Sequence, residues 1–174
     1  MPDTSEINRI GELKKYDILD TPSEADFDGI TSLTAKIFNV PEAIITIVVT
    51  ERIWFKSSYG IDAEQIPRDP GLCSSAIMSD DIYIVEDARV DSRTLSNPLV
   101  AGAMGLQFYA AVPLKSQSGY NLGNICIIDK SPRNLSGKEI SMLLQLSRII
   151  MDKLELKLQS RILMKEMHNK THLN

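Results

Sequence analysis

The stretch DPGLCSSAIMSDD, residues 69–81, contains the residues with the clearest chemical potential in this sequence. Cys73 and Ser74 follow the turn signal Pro70-Gly71 and begin a short predicted helix over residues 72–78. A helix N-terminus lowers the pKa of a thiol, and its free N–H groups suit an anion. Cys73 is therefore either a nucleophile or part of the wall of a ligand pocket.

The placement of histidine argues against a nucleophile. The chain has two histidines, His168 and His172, and both lie in its last seven residues. Cysteine and serine nucleophiles usually need a neighbouring base, most often histidine. An Asp, Glu or Lys base remains open, but the favoured interpretation is that Cys73 is a half-buried wall residue.

Two further groups of residues are candidates for binding. A polar loop between predicted strands carries Asp87, Arg93 and Asn97, either as ligand contacts or as residues that cap and close the loop. Tyr109 and Cys126 lie on neighbouring predicted strands, where they face either a pocket or the core of the sheet.

Composition excludes several classes of protein. The 174 residues suit one domain, with 43% apolar and 24% charged residues and a net charge of −4. There is no basic stripe for nucleic acid, and the longest apolar run, Ala43–Val49, is too short to cross a membrane. The N-terminus has no apolar segment of a secretory signal, and the two cysteines form no CxxC or metal motif. We expect free thiols in the cytoplasm, and no metal site.

Hydrophobic periodicity predicts the elements that position these residues. Helices are expected over about 5–19, from a capping box at Thr21 and Glu24 to Asn39, and over about 137–167 from a second capping box at Ser136 and Glu139. Five strands are expected between the second helix and the last, mostly linked as hairpins, with a loop over 61–71. This order predicts an α+β domain in which the terminal helices cover one face of an antiparallel sheet.

The last helix has apolar residues on two sides. One side carries Ile140, Met151 and Leu154, and a roughly opposite side carries Leu146, Ile149, Leu156 and Leu163 as an imperfect heptad. A helix with two apolar faces needs two partners. The second side is predicted to be a homodimer seam, unless the N-terminal helix of the same chain covers it.

Six stretches carry a resemblance to GAF domains, the sensing and dimerisation modules of bacterial histidine kinases and diguanylate cyclases. They span nearly the whole chain in the expected order: ILDTPSEADFD (18–28), WFKSSYG (54–60), LCSSAI (72–77), VEDARVDSRTLSNPLV (85–100), FYAAVPL (108–114) and GYNLGNICIIDKSPRNLS (119–136). The resemblance implies one domain over residues 1–174, with five or six antiparallel strands, end helices on one face, and a pocket under short helices and loops on the other.

The resemblance also implies a function. The main expectation is a non-catalytic sensor that binds an unidentified small molecule, with an anion favoured by the helix N-terminus. It would signal through a helical dimer to an output kinase or cyclase domain. The sequence departs from the subgroup at Thr50, Ser75 and Thr94, so no ligand or cofactor can be named. Two alternatives are a cysteine-dependent reductase of free methionine sulfoxide and a dimerisation scaffold without a ligand.

Overall fold

The centre of the molecule is a six-stranded antiparallel sheet. The structure, a computed structural model, describes residues 3–171, so His172 lies outside the described residues. The strands are β1 (Glu42–Val48), β2 (Arg52–Tyr59), β3 (Gln65–Pro67), β4 (Tyr83–Val85), β5 (Phe108–Lys115) and β6 (Asn121–Asp129). Their order across the sheet is β3-β2-β1-β6-β5-β4. The predicted sheet is confirmed, and its sixth strand, β3, comes from a region that we expected to be a loop.

The helices divide between the two faces of this sheet. They are α1 (Thr4–Tyr16), α2 (Ala25–Phe38), α3 (Leu72–Ala76), α4 (Pro98–Ala101) and α5 (Gly137–Thr171). Buried side chains of α1, α2 and α5 form one core with one side of the strands, and those of α3 form a second core with the other side. The long helices and the Cys73 segment are thus on opposite faces, as predicted.

The central strands are apolar because both of their faces are covered. All seven residues of β1 are buried, with Ile45 and Ile47 facing the long helices and Ile44 and Val48 facing α3. A strand buried on both sides has no need for alternating polar residues, and its side chains still alternate between faces. The continuous run of apolar residues in the sequence is the local signature of this position.

Helix α5 begins at the predicted capping box. The hydroxyl of Ser136 accepts a hydrogen bond from the backbone N–H of Glu139 at 3.2 Å, and the carboxylate of Glu139 accepts one from the N–H of Ser136 at 2.8 Å. The helix continues to Thr171, four residues beyond its predicted end, which makes it about 52 Å long.

The predicted second face of α5 is only partly exposed. Leu146 is buried in the core beside the sheet, so this member of the predicted seam is a core residue of its own domain. Ile149, Leu156 and Leu163 are exposed by 48%, 68% and 58%. Helix α1 contacts α5 through the hydrogen bond from the Tyr16 hydroxyl to the carboxylate of Glu155, and leaves those three side chains uncovered.

The capping box predicted at Thr21 is wrong. Helix α2 begins at Ala25, and the residue at its N-cap is Glu24. Thr21 and Pro22 instead accept hydrogen bonds from the ammonium group of Lys56, at 2.9 Å to the hydroxyl and 3.2 Å to the carbonyl. This tertiary contact keeps the segment out of the helix, against its local preference.

The prediction from helical spacing for the apolar side of α2 is also partly wrong, since it places on one side Phe27, Ile30, Leu33, Ile37 and Phe38. Phe27, Ile30 and Phe38 are buried as expected, but Leu33 and Ile37 are exposed by 52% and 43%. The positions that face the sheet in their place are polar ones: Thr31 and Thr34 are buried and donate hydrogen bonds to backbone carbonyls of their own helix.

Membrane insertion through a helix finds no support in the structure. Within residues 3–171, none of the helices combines the length and the hydropathy that crossing a bilayer requires.

Candidate functional site

A small apolar cavity lies between the sheet and α3, on the face opposite the long helices. Its volume is about 40 Å³. Aliphatic and aromatic carbon atoms form most of the wall, and the polar atoms are the Tyr109 hydroxyl and two thiols. The lining residues are Ile44, Phe55, Ile61, Ile66, Leu72, Cys73, Leu99, Met104, Leu106, Tyr109, Cys126 and Ile128.

Three of the seven predicted ligand residues meet at this cavity. Cys73 comes from α3, Tyr109 from β5 and Cys126 from β6, and all three are buried. The Tyr109 hydroxyl donates a hydrogen bond to the Cys73 sulfur at 3.1 Å. The sequence analysis named all three as candidates, Cys73 from its place at a helix N-terminus and the other two from neighbouring strands.

Hydrogen bonds make the two thiols unequal. Hydrogen bonding with Cys126 and with the Tyr109 hydroxyl lowers the pKa of the Cys73 thiol, against the opposing effect of burial. The pKa of Cys126 is raised well above its usual value, because its thiol is hydrogen-bonded to Cys73 and is buried. Cys73 is thus the more acidic of the two sulfurs.

Two asparagines of β6 hold α3 against the sheet. The amide group of Asn124 donates to the carbonyl of Cys73 at 3.1 Å, and its oxygen accepts from the Thr46 hydroxyl at 2.8 Å. Asn121 donates to the carbonyl of Ile77 at 3.1 Å, just after the end of α3. Our sequence analysis missed both residues, although a polar side chain inside an apolar strand is a signal for such a role, since buried polar groups need partners.

The polar side chains predicted as ligand contacts in the loop after β4 do not line the cavity. The carboxylate of Asp87 pairs with Arg89 at 2.9 Å and accepts the backbone N–H of the same residue at 3.1 Å. Asp87 therefore stabilises its own turn, which is the structural alternative considered from the sequence.

Arg93 and Asn97 also serve the loop. The guanidinium group of Arg93 pairs with Asp91 at 2.7 Å, donates to the carbonyl of Ile84 at 2.6 Å, and stacks over the ring of Tyr83 at 4.6 Å from its centroid. The Asn97 side chain caps α4 by accepting the N–H of Leu99 at 2.9 Å, and donates to the carbonyl of Pro70 at 2.8 Å. The last bond ties the loop to the turn before α3.

Ser74 points away from the cavity. Its hydroxyl donates to the carbonyls of Gly71 at 2.8 Å and Arg68 at 3.1 Å, which closes the turn before α3. Helix α3 has five residues, and no lysine or arginine is among the residues that line the cavity. The cavity therefore has none of the features that would favour an anion.

One carboxyl group lies at the edge of the same face. Glu42 begins β1 opposite Ile128, a lining residue, and burial raises the pKa of Glu42. One of its oxygens is buried without a hydrogen-bond partner among the described residues. When the carboxyl of Glu42 is ionised, it adds negative electrostatic potential near the cavity.

Two of the larger grooves lie elsewhere on the domain. The first, about 550 Å³, runs along β2 and contains the buried Lys56, whose ammonium group pairs with Glu24 at 2.6 Å. The second, about 560 Å³, lies between α5 and the segment that joins α1 to α2, with Ile18, Leu156 and Met164 in its wall. The second groove extends the exposed apolar surface of α5.

Metal binding finds no support within residues 3–171, since these contain no group of three or more His, Cys, Asp or Glu side chains able to hold an ion.

Comparisons with known proteins agree with this architecture. A family model for the GAF domain matches residues 23–153. A cyclic di-GMP phosphodiesterase from Pseudomonas aeruginosa is 34% identical over 147 residues, which cover 84% of this chain. The chain spans about a quarter (25%) of the length of that curated relative.

Solved structures show the same fold at lower identity. A free methionine-R-sulfoxide reductase from Neisseria meningitidis superposes with a TM-score of 0.65 at 14% identity, over 92% of this chain and 96% of that one. The GAF domain of an Acinetobacter phosphoenolpyruvate-protein phosphotransferase superposes with a TM-score of 0.63 at 17% identity, over 88% and 95%. With a family model that matches most of its length and a sheet, helices and cavity arranged as that family implies, the chain belongs to the GAF domain family.

Proposed function

We propose that the chain is a non-catalytic sensory domain of the cytoplasm. A small molecule binds on the α3 face of the sheet, and the long helices carry the effect to a second copy of the chain and to an output domain. The observation that supports this proposal most is the difference between the two faces of the sheet. One face has a small apolar cavity, and the other has a long helix with exposed apolar side chains.

The lining of the cavity suggests the class of ligand. An apolar wall with a single hydroxyl and two thiols suits a small neutral or apolar molecule, and the nearby carboxyl of Glu42 disfavours an anion. This replaces the anion that the helix N-terminus suggested from sequence. A drug-sized ligand needs about 300–1,000 Å³, so the present volume of about 40 Å³ corresponds to a closed state.

Opening would require movement of the outer wall. Leu99, Met104 and Leu106 belong to the α4 segment and line the cavity from outside the sheet, whereas Ile44 and Cys126 are held in its central strands. A ligand that fits only the open arrangement would shift the population toward it, because coupling requires different affinities for the two states.

The ligand hypothesis can be tested with benzene as an apolar probe and methyl NMR as the readout. We expect saturable shifts of the methyl signals of Ile44, Leu106 and Ile128, and none for Leu154 on the other face of the sheet. Native mass spectrometry of the purified protein would report any retained molecule. If no shift appears up to saturating benzene and nothing is retained, the domain is a dimerisation scaffold.

The dimer hypothesis can be tested separately on α5. Leu156→Glu places a charge in the exposed stripe formed by Ile149, Leu156 and Leu163, and we expect native mass spectrometry to change from dimer to monomer. Asn169→Asp adds a charge on the opposite side of the helix and should leave the subunit count unchanged. A wild-type monomer at micromolar concentration would contradict the seam.

The output domain remains a further part of the proposal. A kinase or cyclase would fit the family, and the Pseudomonas aeruginosa relative, named as a cyclic di-GMP phosphodiesterase, extends well beyond the matched region. In each case the GAF domain would modulate a neighbouring catalytic domain through α5.

The proposal that this domain has no catalytic activity of its own also has a direct test. Both thiols are buried, and none of the described residues that line the cavity is a histidine, aspartate or glutamate that could act as a general base. We expect no reduction of free methionine sulfoxide in the presence of dithiothreitol. Turnover that disappears in Cys73→Ser would identify the domain as a reductase instead.

A further inference from the structure

The two cysteines of the chain are brought together although 53 positions separate them in the sequence. Cys73 lies in α3 and Cys126 in the centre of β6, opposite Ile44 on one side and Ala111 on the other. Their side chains line the same cavity, and each thiol shifts the pKa of the other. The pair is therefore a buried dithiol, of which both members are free.

The surroundings of Cys73 favour its sulfur as the reactive one. The Tyr109 hydroxyl donates a hydrogen bond to this sulfur at 3.1 Å. Donors directed at a sulfur stabilise its thiolate, which is the nucleophilic form. Cys126, with its proton retained, lies where a resolving thiol would be needed.

The main chain around the pair is held in place. Asn124 fixes the carbonyl of Cys73 to β6 two residues away from Cys126, and Asn121 fixes the other end of α3. The two sulfur atoms can therefore come together while the hydrogen bonds from Asn121 and Asn124 continue to hold α3 on the sheet.

The cavity limits what can reach the sulfurs. Its volume of about 40 Å³ exceeds the share of one water molecule in the liquid, about 30 Å³, by a small margin. Its wall is apolar, which disfavours charged reagents. A small, uncharged hydroperoxide fits, and a bulky one requires the outer wall to open.

We propose that Cys73 and Cys126 form a redox site that hydrogen peroxide converts to an intramolecular disulfide. The Cys73 thiolate attacks one peroxide oxygen, so that an S–O bond forms, the O–O bond breaks, and the departing hydroxide is protonated to water. The Cys126 sulfur then attacks the sulfenic sulfur of Cys73. The S–S bond forms, the S–O bond breaks, and the hydroxide leaves as water with the thiol proton. Two thiols are oxidised by two electrons in all, and one peroxide is reduced to two waters.

The disulfide would join α3 covalently to β6 and keep the cavity closed. This modification does not depend on the proposed sensory ligand, because it needs only the two thiols of the chain and hydrogen peroxide. It would make the closed state of the domain dependent on oxidant.

The test uses the purified, reduced protein treated with hydrogen peroxide, then denatured and alkylated with N-ethylmaleimide. We expect an intact mass lower by two hydrogens, loss of both alkylation sites, and one peptide pair joined through Cys73 and Cys126. Dithiothreitol should restore both sites. Two alkylated thiols after a dose that oxidises free glutathione fully, or a disulfide between chains, would overturn the proposal.

Substitutions distinguish the role of Cys73 as the nucleophile from that of Cys126 as the resolving thiol. Cys126→Ser should stop at oxygen adducts of Cys73, and Cys73→Ser should lose most of its reactivity with peroxide. Tyr109→Phe should slow disulfide formation about tenfold, by removing a donor to the thiolate. Equal rates in Tyr109→Phe and wild type, with both folded by circular dichroism, would refute the assignment of Cys73.

A comparison on the wild-type protein alone tests access and needs no variant. Tert-butyl hydroperoxide should form the disulfide more slowly than hydrogen peroxide. The ratio of the hydrogen peroxide rate to the tert-butyl hydroperoxide rate should be at least about ten times the same ratio for free glutathione. A ratio equal to that of glutathione would show that the cavity does not select the oxidant, and would overturn this part of the inference.

Discussion

Glu6 joins α1 to the rest of the domain through two arginines. Its carboxylate accepts hydrogen bonds from Arg9 at 2.8 Å at two nitrogens and from Arg68 at 2.5 Å. The Arg9 side chain is buried and also donates to the carbonyl of Val48 at 2.9 Å, and Arg68 donates to that of Val49 at 3.0 Å. Replacing Glu6 by glutamine removes the charge that balances both guanidinium groups and keeps a side chain of similar shape.

The size of the effect follows from the pKa of Glu6. Hydrogen bonds from Arg9, together with those from Arg68 and the charges of both residues, outweigh burial and lower that pKa from 4.5 to about 2. Full conversion at 1.36 kcal/mol per unit would give roughly 3.4 kcal/mol. Because 24% of the Glu6 side chain is exposed, solvent screening reduces this, and we expect Glu6→Gln to lower the free energy of unfolding by about 1.5–2 kcal/mol at pH 7.

The effect should depend on pH with a definite sign. A carboxyl whose pKa is depressed by folding stabilises the native state above its unfolded pKa, and this stabilisation is lost as the pH falls toward its folded pKa. For Glu6 the window runs from 4.5 down to about 2. At pH 2.5 only about a quarter of the difference between wild type and Glu6→Gln should remain.

Urea denaturation at pH 7 and pH 2.5 measures this difference, with the fluorescence of the buried Trp54 as the probe. The matched control is Glu51→Gln. Glu51 is exposed, and its carboxylate makes no ion pair with any residue from 3 to 171, so its replacement should change stability by less than about 0.5 kcal/mol. An equal loss at both pH values in Glu6→Gln would show that packing rather than charge is responsible, and would refute the reasoning.

Substitutions at three further positions test the fold by thermal or urea unfolding. Gly123→Ala places a Cβ 1.8 Å from the carbonyl oxygen of Thr46 in the neighbouring strand, and should destabilise by about 3 kcal/mol or more; a change below 1 kcal/mol would contradict the close approach of β1 and β6. Gly29→Ala, on the exposed side of α2 with nothing within 4 Å, should stabilise by about 0.5–1 kcal/mol, and a loss of stability would mean that this site is strained. Ser136→Ala should cost about 1 kcal/mol by removing the acceptor for the N–H of Glu139, whereas Ser136→Asp, which keeps an acceptor, should be nearly neutral.

The fold was predictable where the signal is local. The two main hairpins, β1–β2 and β5–β6, and the cap at Ser136 follow from patterns within about ten residues, and the structure confirms them. Strand β3 was missed because three residues at a sheet edge carry too short a pattern, and two nearby prolines suggest a loop.

The candidate site was predictable in part. Tyr109 and Cys126 were found because alternation along a strand decides which face a side chain occupies, once one neighbour is placed. Asp87, Arg93 and Asn97 were proposed for the same site because a polar loop is ambiguous. In the structure Asp87 pairs with Arg89 and Arg93 pairs with Asp91. Asn97 donates to the carbonyl of Pro70, a contact that depends on where the chain folds back.

The amino-acid sequence alone determined the class of fold, the order of its elements and the double-sided character of the last helix, because these depend on periodicities of two and 3.6 residues along the chain. The tertiary structure decided which part of each face of α5 is covered. Leu146 is buried and Leu156 is exposed, although both belong to the predicted seam. The same holds for the meeting of Cys73 with Cys126 and for the size of the cavity between them. Burial and proximity depend on which distant segment packs against a side chain, and that information is absent from any local pattern.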